Sequence, residues 1–265
     1  MLSLKQINKT FHPGTVNERK ALKDINLHLE DGDFVTVIGS NGAGKSTLFN
    51  MISGNFLSDS GTIELDGVDL TFMKEHNRAQ YIGRLFQDPL KGTAPSMTIE
   101  ENLALAYMRT VGRKFGLGIS QKERNLFREK LAQLNLGLED RMKTKVGLLS
   151  GGQRQAVTLM MSTLVTPKLL LLDEHTAALD PATADKVLAI TKEIVQKNNI
   201  TTMMITHNIQ SALELGNRTI MMDDGHIILD IKGKEREGMT VEKLLDCFKK
   251  ESHKVLDNDR MLLAR

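Results

Sequence analysis

A glycine-rich stretch at Gly39–Thr47, GSNGAGKST, is the part of this sequence best suited to chemistry. It satisfies the pattern G-x-x-x-x-G-K-[ST], in which glycines let backbone N–H groups turn toward a bound phosphate. It follows the apolar run FVTVI at residues 34–38, typical of a strand buried on both faces, and precedes a predicted helix at 45–52. This strand–loop–helix context predicts a nucleotide-phosphate site, because backbone amides and a helix N-terminus attract anions.

Two residues of this loop have individual predicted roles. Lys45 is predicted to bridge the β- and γ-phosphates, and the Ser46 hydroxyl to bind Mg²⁺. A plain glycine-rich turn would not require a Lys-Ser pair at its end. The predicted nucleotide-binding residues are Gly39, Ser40, Asn41, Gly42, Ala43, Gly44, Lys45, Ser46 and Thr47.

Two adjacent carboxylates follow a second apolar run, in the segment LLLLDEHTAALD at residues 169–180. Burying a carboxylate beside a core strand is unfavourable unless the group is paired or binds a metal. With a phosphate loop in the same chain, Asp173 is predicted to hold Mg²⁺ through its water shell, and Glu174 to orient and polarise the attacking water. The leucines would then form a buried strand that delivers both acids to its carboxyl end, where ligands bind in open α/β sheets.

The composition excludes several other classes of protein. Among 265 residues, 35 basic side chains nearly balance 33 acidic ones, so we expect no nucleic-acid partner. The single cysteine excludes an intrachain disulfide, and the seven histidines lack metal-ligand spacing. No apolar run approaches the roughly 20 residues that span a bilayer, and the first residues are too polar for a signal peptide. If the protein works at a membrane, another chain must hold it there.

Strands alternate with helices along most of the chain, which favours a doubly wound α/β fold. We predict a mostly parallel core sheet, an antiparallel β subdomain formed by the early strands, and an α-helical subdomain at approximately 88–164. Asp224-Gly225 predicts a hairpin turn. The chain is predicted to be a single nucleotide-binding domain over 1–265, ending in a charged extension at 232–265 that forms one helix and a tail.

At Leu149–Gln153 the sequence reads LSGGQ, and here the chain resembles the ATP-binding-cassette (ABC) family, whose signature is this pentapeptide. The resemblance covers nearly the whole chain, and the family's motifs occur in the family's order. It implies a P-loop NTPase fold of the ABC type. It also implies ATP as the nucleotide, Mg²⁺ as its metal ion, and ATP hydrolysis as the reaction.

The resemblance also implies roles for three residues outside the phosphate loop. Phe11 lies where the family has an aromatic ring that stacks on adenine, although an aromatic near a strand end is often simply core. Gln87, in LFQDP, lies where the family has the glutamine of the coupling loop, and it joins Ser46 among the implied metal ligands. His207, in MMITHN, matches the switch histidine that contacts the γ-phosphate, although such a histidine can also be a capping or core residue. The implied catalytic residues are Glu174, His207 and Gln87.

A second ABC subunit is implied by the signature. In the family, two cassettes form a head-to-tail dimer, and the signature of one closes on the nucleotide of the other. The loop at Ala178–Asp180 contacts the dimer partner, so Asp180 is an implied dimer residue. We therefore expect a homodimer, with these residues acting across it: Leu149, Ser150, Gly151, Gly152 and Gln153.

Two departures from common family patterns favour an importer. The stretch KTKVG before the signature lacks the acidic residues of exporters. His175 stands where the family often has proline, and DEHTAALDP resembles a branch of importer ATPases linked with amino-acid-like substrates. Neutral His175 is expected to shape the turn. The implied partners are membrane-spanning permease subunits, docked along residues 88–101, and a substrate-binding protein. The implied location is peripheral, at the cytoplasmic face of the cell membrane.

Two other functions stay open at this point. Soluble ABC ATPases act in translation, DNA repair or cofactor assembly, and they usually carry paired cassettes, a long coiled-coil insertion or zinc cysteines. This sequence shows one cassette, no heptad run and one cysteine. A non-hydrolysing binding module is disfavoured because Glu174 and His207 are both present.

Overall fold

The computed structural model describes residues 1–111 and 118–251. The strands are β1 (Leu2–Phe11), β2 (Arg19–Leu29), β3 (Phe34–Gly39), β4 (Ser60–Leu65), β5 (Val68–Asp69), β6 (Ile82–Leu85), β7 (Leu169–Asp173), β8 (Thr202–Ile205), β9 (Arg218–Asp223) and β10 (His226–Lys232). The helices are α1 (Lys45–Ser53), α2 (Glu75–Arg78), α3 (Ile99–Val111), α4 (Gln121–Ala132), α5 (Gly151–Thr163), α6 (Pro181–Lys197), α7 (Ile209–Leu215) and α8 (Val241–Glu251). Two compact units result, one formed by Met1–Arg78 and the described residues from Thr201 onward, the other by Ala79–Ile200.

The first unit contains an antiparallel sheet with the strand order β2-β1-β4-β5. Its two long strands, β1 and β2, exceed the segments 2–7 and 25–29, whose alternating apolar residues predict half-buried strands. Register shifts along β1, on both sides of Ile7 and again before Thr10, interrupt the two-residue alternation. The sheet buries Leu2, Leu4 and Ile7 on one side, so the early antiparallel subdomain has its own apolar face.

The same unit contains the strand that leads to the phosphate loop. β3 pairs in parallel with both β8 and β9, and β10 pairs antiparallel with β9. Every residue of β3 and β8 is buried, as expected for parallel strands covered on both faces. The predicted hairpin turn is confirmed, with positive φ at both Asp224 and Gly225.

Helix α8 belongs to the predicted C-terminal extension and completes a core of the first unit. Its residues Leu244, Leu245 and Phe248 pack in one cluster with Ile209 of α7 and Ile38 of β3. The predicted tail beyond residue 251 lies outside the described residues.

The second unit combines a parallel pair of strands with a group of helices. β6 pairs in parallel with β7, whose four leucines are fully buried. Helices α3, α4 and α5 lie within 88–164, the range for which we predict a helical subdomain, and α6 follows β7. The predicted fold class, with parallel strands, an antiparallel sheet and a helical part, is confirmed.

Candidate functional site: a phosphate loop, two carboxylates and a signature helix

The phosphate loop leaves the carboxyl end of β3 in a conformation that requires glycine. Gly39 has φ +146°, and a Cβ placed on it would lie 2.1 Å from the carbonyl oxygen of Met222 in β9. Gly44, at φ +103°, ends the loop, and a Cβ there would lie 2.6 Å from the carbonyl oxygen of Ala21. Side chains at these two positions would collide with backbone, which explains the glycines by packing as well as by phosphate access.

Lys45 is the cation of this loop and is 4% exposed. Its ammonium donates to the carbonyl oxygens of Gly39 (2.7 Å) and Ser40 (2.9 Å). Among residues 1–111 and 118–251, no side chain caps the N-terminus of α1 at Gly44, and its first turn contains no acidic residue. The first turn of α1 therefore has no carboxylate of its own to compensate the positive end of the helix, which favours an anion there.

Neighbouring segments hold the rest of the loop in place. The Ser40 hydroxyl donates to Asp223 (3.2 Å), and Arg19 donates to the carbonyl oxygen of Gly42 (2.7 Å). The carbonyl oxygen of Ala43 accepts a hydrogen bond from the N–H of Gly225 at 3.1 Å. Of the remaining predicted binding residues, Asn41 and Ser46 are exposed and Thr47 is half-buried.

Phe11 and His207 lie in the same unit as the phosphate loop. Phe11 is half-buried at the end of β1, where its ring meets Phe56 edge-on with centroids 5.3 Å apart, and the Lys9 ammonium lies 5.8 Å from its centroid. His207 is half-buried in the short connection between β8 and α7. The next residue, Asn208, caps α7 by accepting a hydrogen bond from the N–H of Ser211 at 2.9 Å.

In the second unit, Asp173 ends β7 and Glu174 begins the turn that follows. The guanidinium of Arg84 lies 3.7 Å from Asp173, and it also stacks on the Phe86 ring at 4.6 Å. Sequence reasoning missed Arg84, whose only signal is a cation inside the apolar strand IGRL. Glu174 has φ +47°, a left-handed conformation that is uncommon for a residue with a side chain.

His175, next to Glu174, is 2% exposed. Its Nε2 lies 3.3 Å from the hydroxyl of Thr191 on α6. That hydroxyl donates to the carbonyl oxygen of Val187 at 2.8 Å, so its oxygen is left to accept the Nε2 proton of a neutral imidazole. Burial lowers the pKa of His175 from 6.5 to about 4. This is the environment of a neutral structural histidine, in agreement with the turn-shaping role expected for it.

The signature begins α5 with a reciprocal cap. The Ser150 hydroxyl accepts a hydrogen bond from the N–H of Gln153 (3.3 Å), whose side chain accepts one from the N–H of Ser150 (3.2 Å). Ser150 and Gly151 are exposed, whereas Leu149 and Gly152 are buried.

The dimer loop packs directly beside the signature. A Cβ on Gly152 would lie 2.2 Å from the methyl group of Thr183 on α6, and one on Gly151 would lie 3.0 Å from Leu179. Asp180 is exposed and caps α6 by accepting a hydrogen bond from the N–H of Thr183 at 3.1 Å. Hydrogen bonding by Thr183 lowers the pKa of Asp180 below its usual range. The structure therefore brings the signature and the predicted dimer residue together.

Gln87 is exposed two residues beyond β6. In the segment that follows, Pro95 is exposed, Met97 is half-buried and Ile99 is fully buried. Ile99 thus belongs to the core and is unavailable for docking. Asn102, also missed by sequence reasoning, braces this segment through hydrogen bonds with the backbone N–H (2.8 Å) and carbonyl oxygen (3.1 Å) of Ala94.

The oxygen donors of these segments fit Mg²⁺. This ion prefers oxygen ligands, retains several waters and takes only one or two side chains beside phosphate oxygens. The Ser46 hydroxyl, the Gln87 amide and the Asp173 carboxylate are donors of this kind. In the described parts of the chain, no group of three or more His, Cys, Asp and Glu side chains could hold a metal ion.

Within residues 1–111 and 118–251, no helix has the length and apolar character needed to cross a membrane.

Known proteins match this chain along most of its length. The family described as "ABC transporter" matches residues 22–177, more than half of the chain. A tyrosine transport ATP-binding protein of Clostridioides difficile is 46% identical over 94% of this chain and 98% of that protein. The methionine import ATP-binding protein MetN of Vibrio vulnificus is 36% identical over 86% of this chain, which spans 64% of that protein's length.

A solved structure agrees with these relatives. The dimeric structure of a post-hydrolysis state of an ATP-binding cassette, bound to ADP and Pi, is 30% identical and superposes with a TM-score of 0.74. The match covers 88% of this chain and 98% of that chain. Relatives named for transport favour the transporter over the soluble ABC ATPase that the sequence had left open. The chain belongs to the ABC transporter family, as an ATP-binding subunit that hydrolyses ATP.

Proposed function

We propose that this chain is the ATPase subunit of an importer of amino-acid-like substrates, coupling ATP-driven closure of a head-to-tail dimer to substrate movement through separate membrane-spanning subunits. The observation that carries the proposal is the signature at the start of α5, where Ser150 and Gly151 are exposed beside the dimer loop. A second copy of the chain would bring its bound nucleotide to this surface, since a helix N-terminus attracts phosphate.

On the nucleotide side, Lys45 offsets phosphate charge from within the loop, and the amides from Gly39 to Thr47 surround the phosphates. Phe11 stacks on the adenine. The observed positions of the two side chains support these proposed roles. Lys45 is anchored by two loop carbonyls, and the Phe11 ring is half-buried at a strand end.

Magnesium, when bound, neutralises phosphate charge and fixes the geometry of the transferring group. Ser46 and Gln87 would be its direct ligands, and Asp173 would hold it through water. The pairing of Asp173 with Arg84 is the observation that supports a positioning role for this carboxylate, because the side chain is held at the strand end.

Glu174 orients and polarises the attacking water, and His207 contacts the γ-phosphate. Glu174 follows a strand of four fully buried leucines, and it is held by that strand in an uncommon backbone conformation. Positioning and charge stabilisation supply most of the catalysis in phosphoryl transfer, so precise placement is the property that matters here.

The proposed partners are permease subunits, a substrate-binding protein and an identical second cassette, at the cytoplasmic face of the cell membrane. The full-length similarity to a protein named for tyrosine transport supports an amino-acid substrate, aromatic ones included. The exposed Pro95 and the half-buried Met97 follow Gln87 in the chain and are proposed to offer surface for a permease helix.

The dimer is tested with Glu174→Gln, which keeps the size of glutamate but removes its charge and basicity. Turnover should fall by a factor on the order of 10² to 10⁴ with ATP binding retained, because a positioned base contributes about that much. The protein should then accumulate as an ATP-dependent dimer in size-exclusion chromatography, with ADP and nucleotide-free runs as controls.

The matched variant adds Ser150→Arg to Glu174→Gln and should bind ATP yet stay monomeric. If it dimerises as well as Glu174→Gln alone, the signature is not the dimer contact. Hydrolysis by Glu174→Gln at the wild-type rate would remove Glu174 from the mechanism.

The substrate is tested by reconstituting the chain in vesicles with the membrane and binding proteins that co-purify with it. Tyrosine should stimulate ATP hydrolysis, with methionine and a non-amino-acid solute compared in parallel. Stimulation by neither amino acid would contradict the proposed substrate class.

A further inference from the structure

The guanidinium of Arg236, in the segment between β10 and α8, holds the C-terminal end of α7. Its Nη2 donates to the carbonyl oxygens of Ala212 (2.7 Å), Leu213 (2.9 Å) and Gly216 (2.7 Å). The last carbonyls of a helix lack partners inside it and carry its negative partial charge. A single cation therefore satisfies three acceptors at this helix end.

The same guanidinium connects α7 to the strand that leads to the phosphate loop. Nε of Arg236 donates to the hydroxyl of Thr219 (3.0 Å), which lies 3.0 Å from the hydroxyl of Thr36 on β3. Both threonines are fully buried, and the Thr36 hydroxyl also reaches the carbonyl oxygen of Ala212 at 3.3 Å. Because Thr36 lies three residues before Gly39, this polar network joins the end of α7 to the base of the loop.

His207 lies just before the other end of α7, and both its neighbours are fixed. The N–H of Thr206 donates to the carbonyl oxygen of Val37 on β3 (3.3 Å), and Asn208 caps α7. A helix of seven residues spans only about 10 Å. A shift of the helix end held by Arg236 would therefore be carried to the residue beside His207.

The C-terminal segment also holds α7 from its apolar side. Leu244 and Phe248 of α8 pack in one cluster with Ile209 and Ala212, the two buried residues of α7. The polar contact from Arg236 and the apolar contact from α8 act on the same short helix.

We infer that Arg236 is a positioning residue for ATP hydrolysis, holding α7 and so keeping His207 at a fixed place relative to the phosphate loop. This inference rests on the role of His207 proposed above. It gives the segment after β10 a part in the reaction.

The test measures steady-state ATP hydrolysis by the full chain. Arg236→Gln should lower kcat at least tenfold while KM for ATP changes less than threefold, because binding residues are untouched. Arg236→Lys should recover part of kcat, since lysine keeps the positive charge but lacks the planar set of N–H donors of the guanidinium. The control Ile63→Ala removes buried side chain in the antiparallel sheet and should leave kcat within twofold at a temperature where all variants are folded.

A double-mutant cycle separates this inference from the proposed role of His207. His207→Ala alone should lower kcat strongly, and Arg236→Gln added to it should lower kcat less than twofold further. The inference would be overturned if Arg236→Gln had near-normal kcat or if Ile63→Ala lowered kcat as much as Arg236→Gln does. It would also be overturned if Arg236→Gln lowered kcat as strongly in the His207→Ala background as it does alone. A fully active His207→Ala would refute the proposed role of His207 and this route with it. An active Arg236→Gln beside an inactive His207→Ala would refute this inference alone.

Discussion

Acid should destabilise this protein through His175, and the structure gives the size of the effect. The imidazole is 2% exposed, and its Nε2 lies 3.3 Å from the Thr191 hydroxyl, which accepts the Nε2 proton of the neutral ring. A protonated ring would place a charge in this apolar surrounding, which is unfavourable without a compensating anion. The folded protein therefore resists protonation of His175, and burial lowers its pKa to about 4.

The direction of the effect follows from the two pKa values, 6.5 in the unfolded chain and about 4 in the folded one. Between them the unfolded state binds the proton and the folded state does not, so stability is full above pH 6.5 and falls with the pH toward 4. The values differ by about 2.5, which corresponds to about 3.4 kcal/mol over the whole range. Of this, about 2 kcal/mol should be lost between pH 7 and pH 5.

The assay is urea unfolding of the full chain at pH 7, 6 and 5, followed by circular dichroism. The control is His175→Gln, which keeps a donor of similar reach for Thr191 but cannot titrate in this range. The free energy of unfolding of the wild type should fall by about 2 kcal/mol more than that of the variant between pH 7 and pH 5. Parallel losses in the two proteins would refute the assignment of a buried neutral histidine.

The remaining predictions concern the phosphate loop and the signature. Lys45→Ala should lower ATP affinity by roughly 10- to 100-fold in a folded protein, because a charge-assisted bond contributes about 1.5–3 kcal/mol; calorimetric titration beside thermal unfolding measures both. Gly39→Ala should lower both the unfolding temperature and ATP affinity because its Cβ would meet a carbonyl oxygen at 2.1 Å. Gly67→Ala, whose Cβ would enter open space at φ +77°, should cost only the strain of that backbone conformation, about 1–2 kcal/mol. Arg154→Ala frees the backbone carbonyls of Val146, Gly147 and Leu149, the last of which is the first residue of the signature, and should lower ATPase activity, with Arg154→Lys retaining more of it. Equal activity of the two Arg154 variants would contradict this bracing role.

The parts of the fold that sequence predicted well are those set by local pattern. The buried run at 34–38 is β3, the helix predicted at 45–52 is α1, and Asp224-Gly225 is the hairpin turn. In each case neighbouring residues alone determine the structure: continuous β-branched residues form a covered strand, and a residue pair that accepts positive φ makes the turn.

Strands in which the two-residue alternation of apolar residues is interrupted were predicted to be shorter than they are. β1 and β2 run well beyond the predicted segments because Gln6 and Asp24 have positive φ and the register shifts along the pair. Such bulges leave extra residues out of alternation, so the two-residue pattern that marks a strand disappears although the pairing continues. The pattern that identifies a half-buried strand is therefore weakest where the strand bends.

Contacts that fix the candidate site came from residues far apart in sequence and could not be foreseen. Arg84 lies beside Asp173, and Arg236 reaches carbonyls more than twenty residues earlier, at Ala212 and Leu213. Arg236 lies in a polar segment, where an arginine is ordinarily a solvated surface residue, so the sequence gives no signal for it; the one signal for Arg84 is a cation inside an apolar strand. Only the packing of strands and helices shows that these guanidinium groups are held against the site.

The conformation of Glu174 shows why a strand of leucines precedes the proposed catalytic acid. A left-handed residue with a side chain costs about 1–2 kcal/mol, and such strain persists only where the surroundings determine it. Before Glu174, β7 is fully buried through Leu172; after it, His175 is buried and bonded to α6. The turn closes locally as the N–H of Ala177 donates to the carbonyl oxygen of Glu174 at 2.9 Å. With both neighbours anchored in the core, the backbone at Glu174 has little freedom to relax. The direction of its side chain is therefore set by packing, with the buried neutral His175 as the anchor on one side and β7 as the anchor on the other.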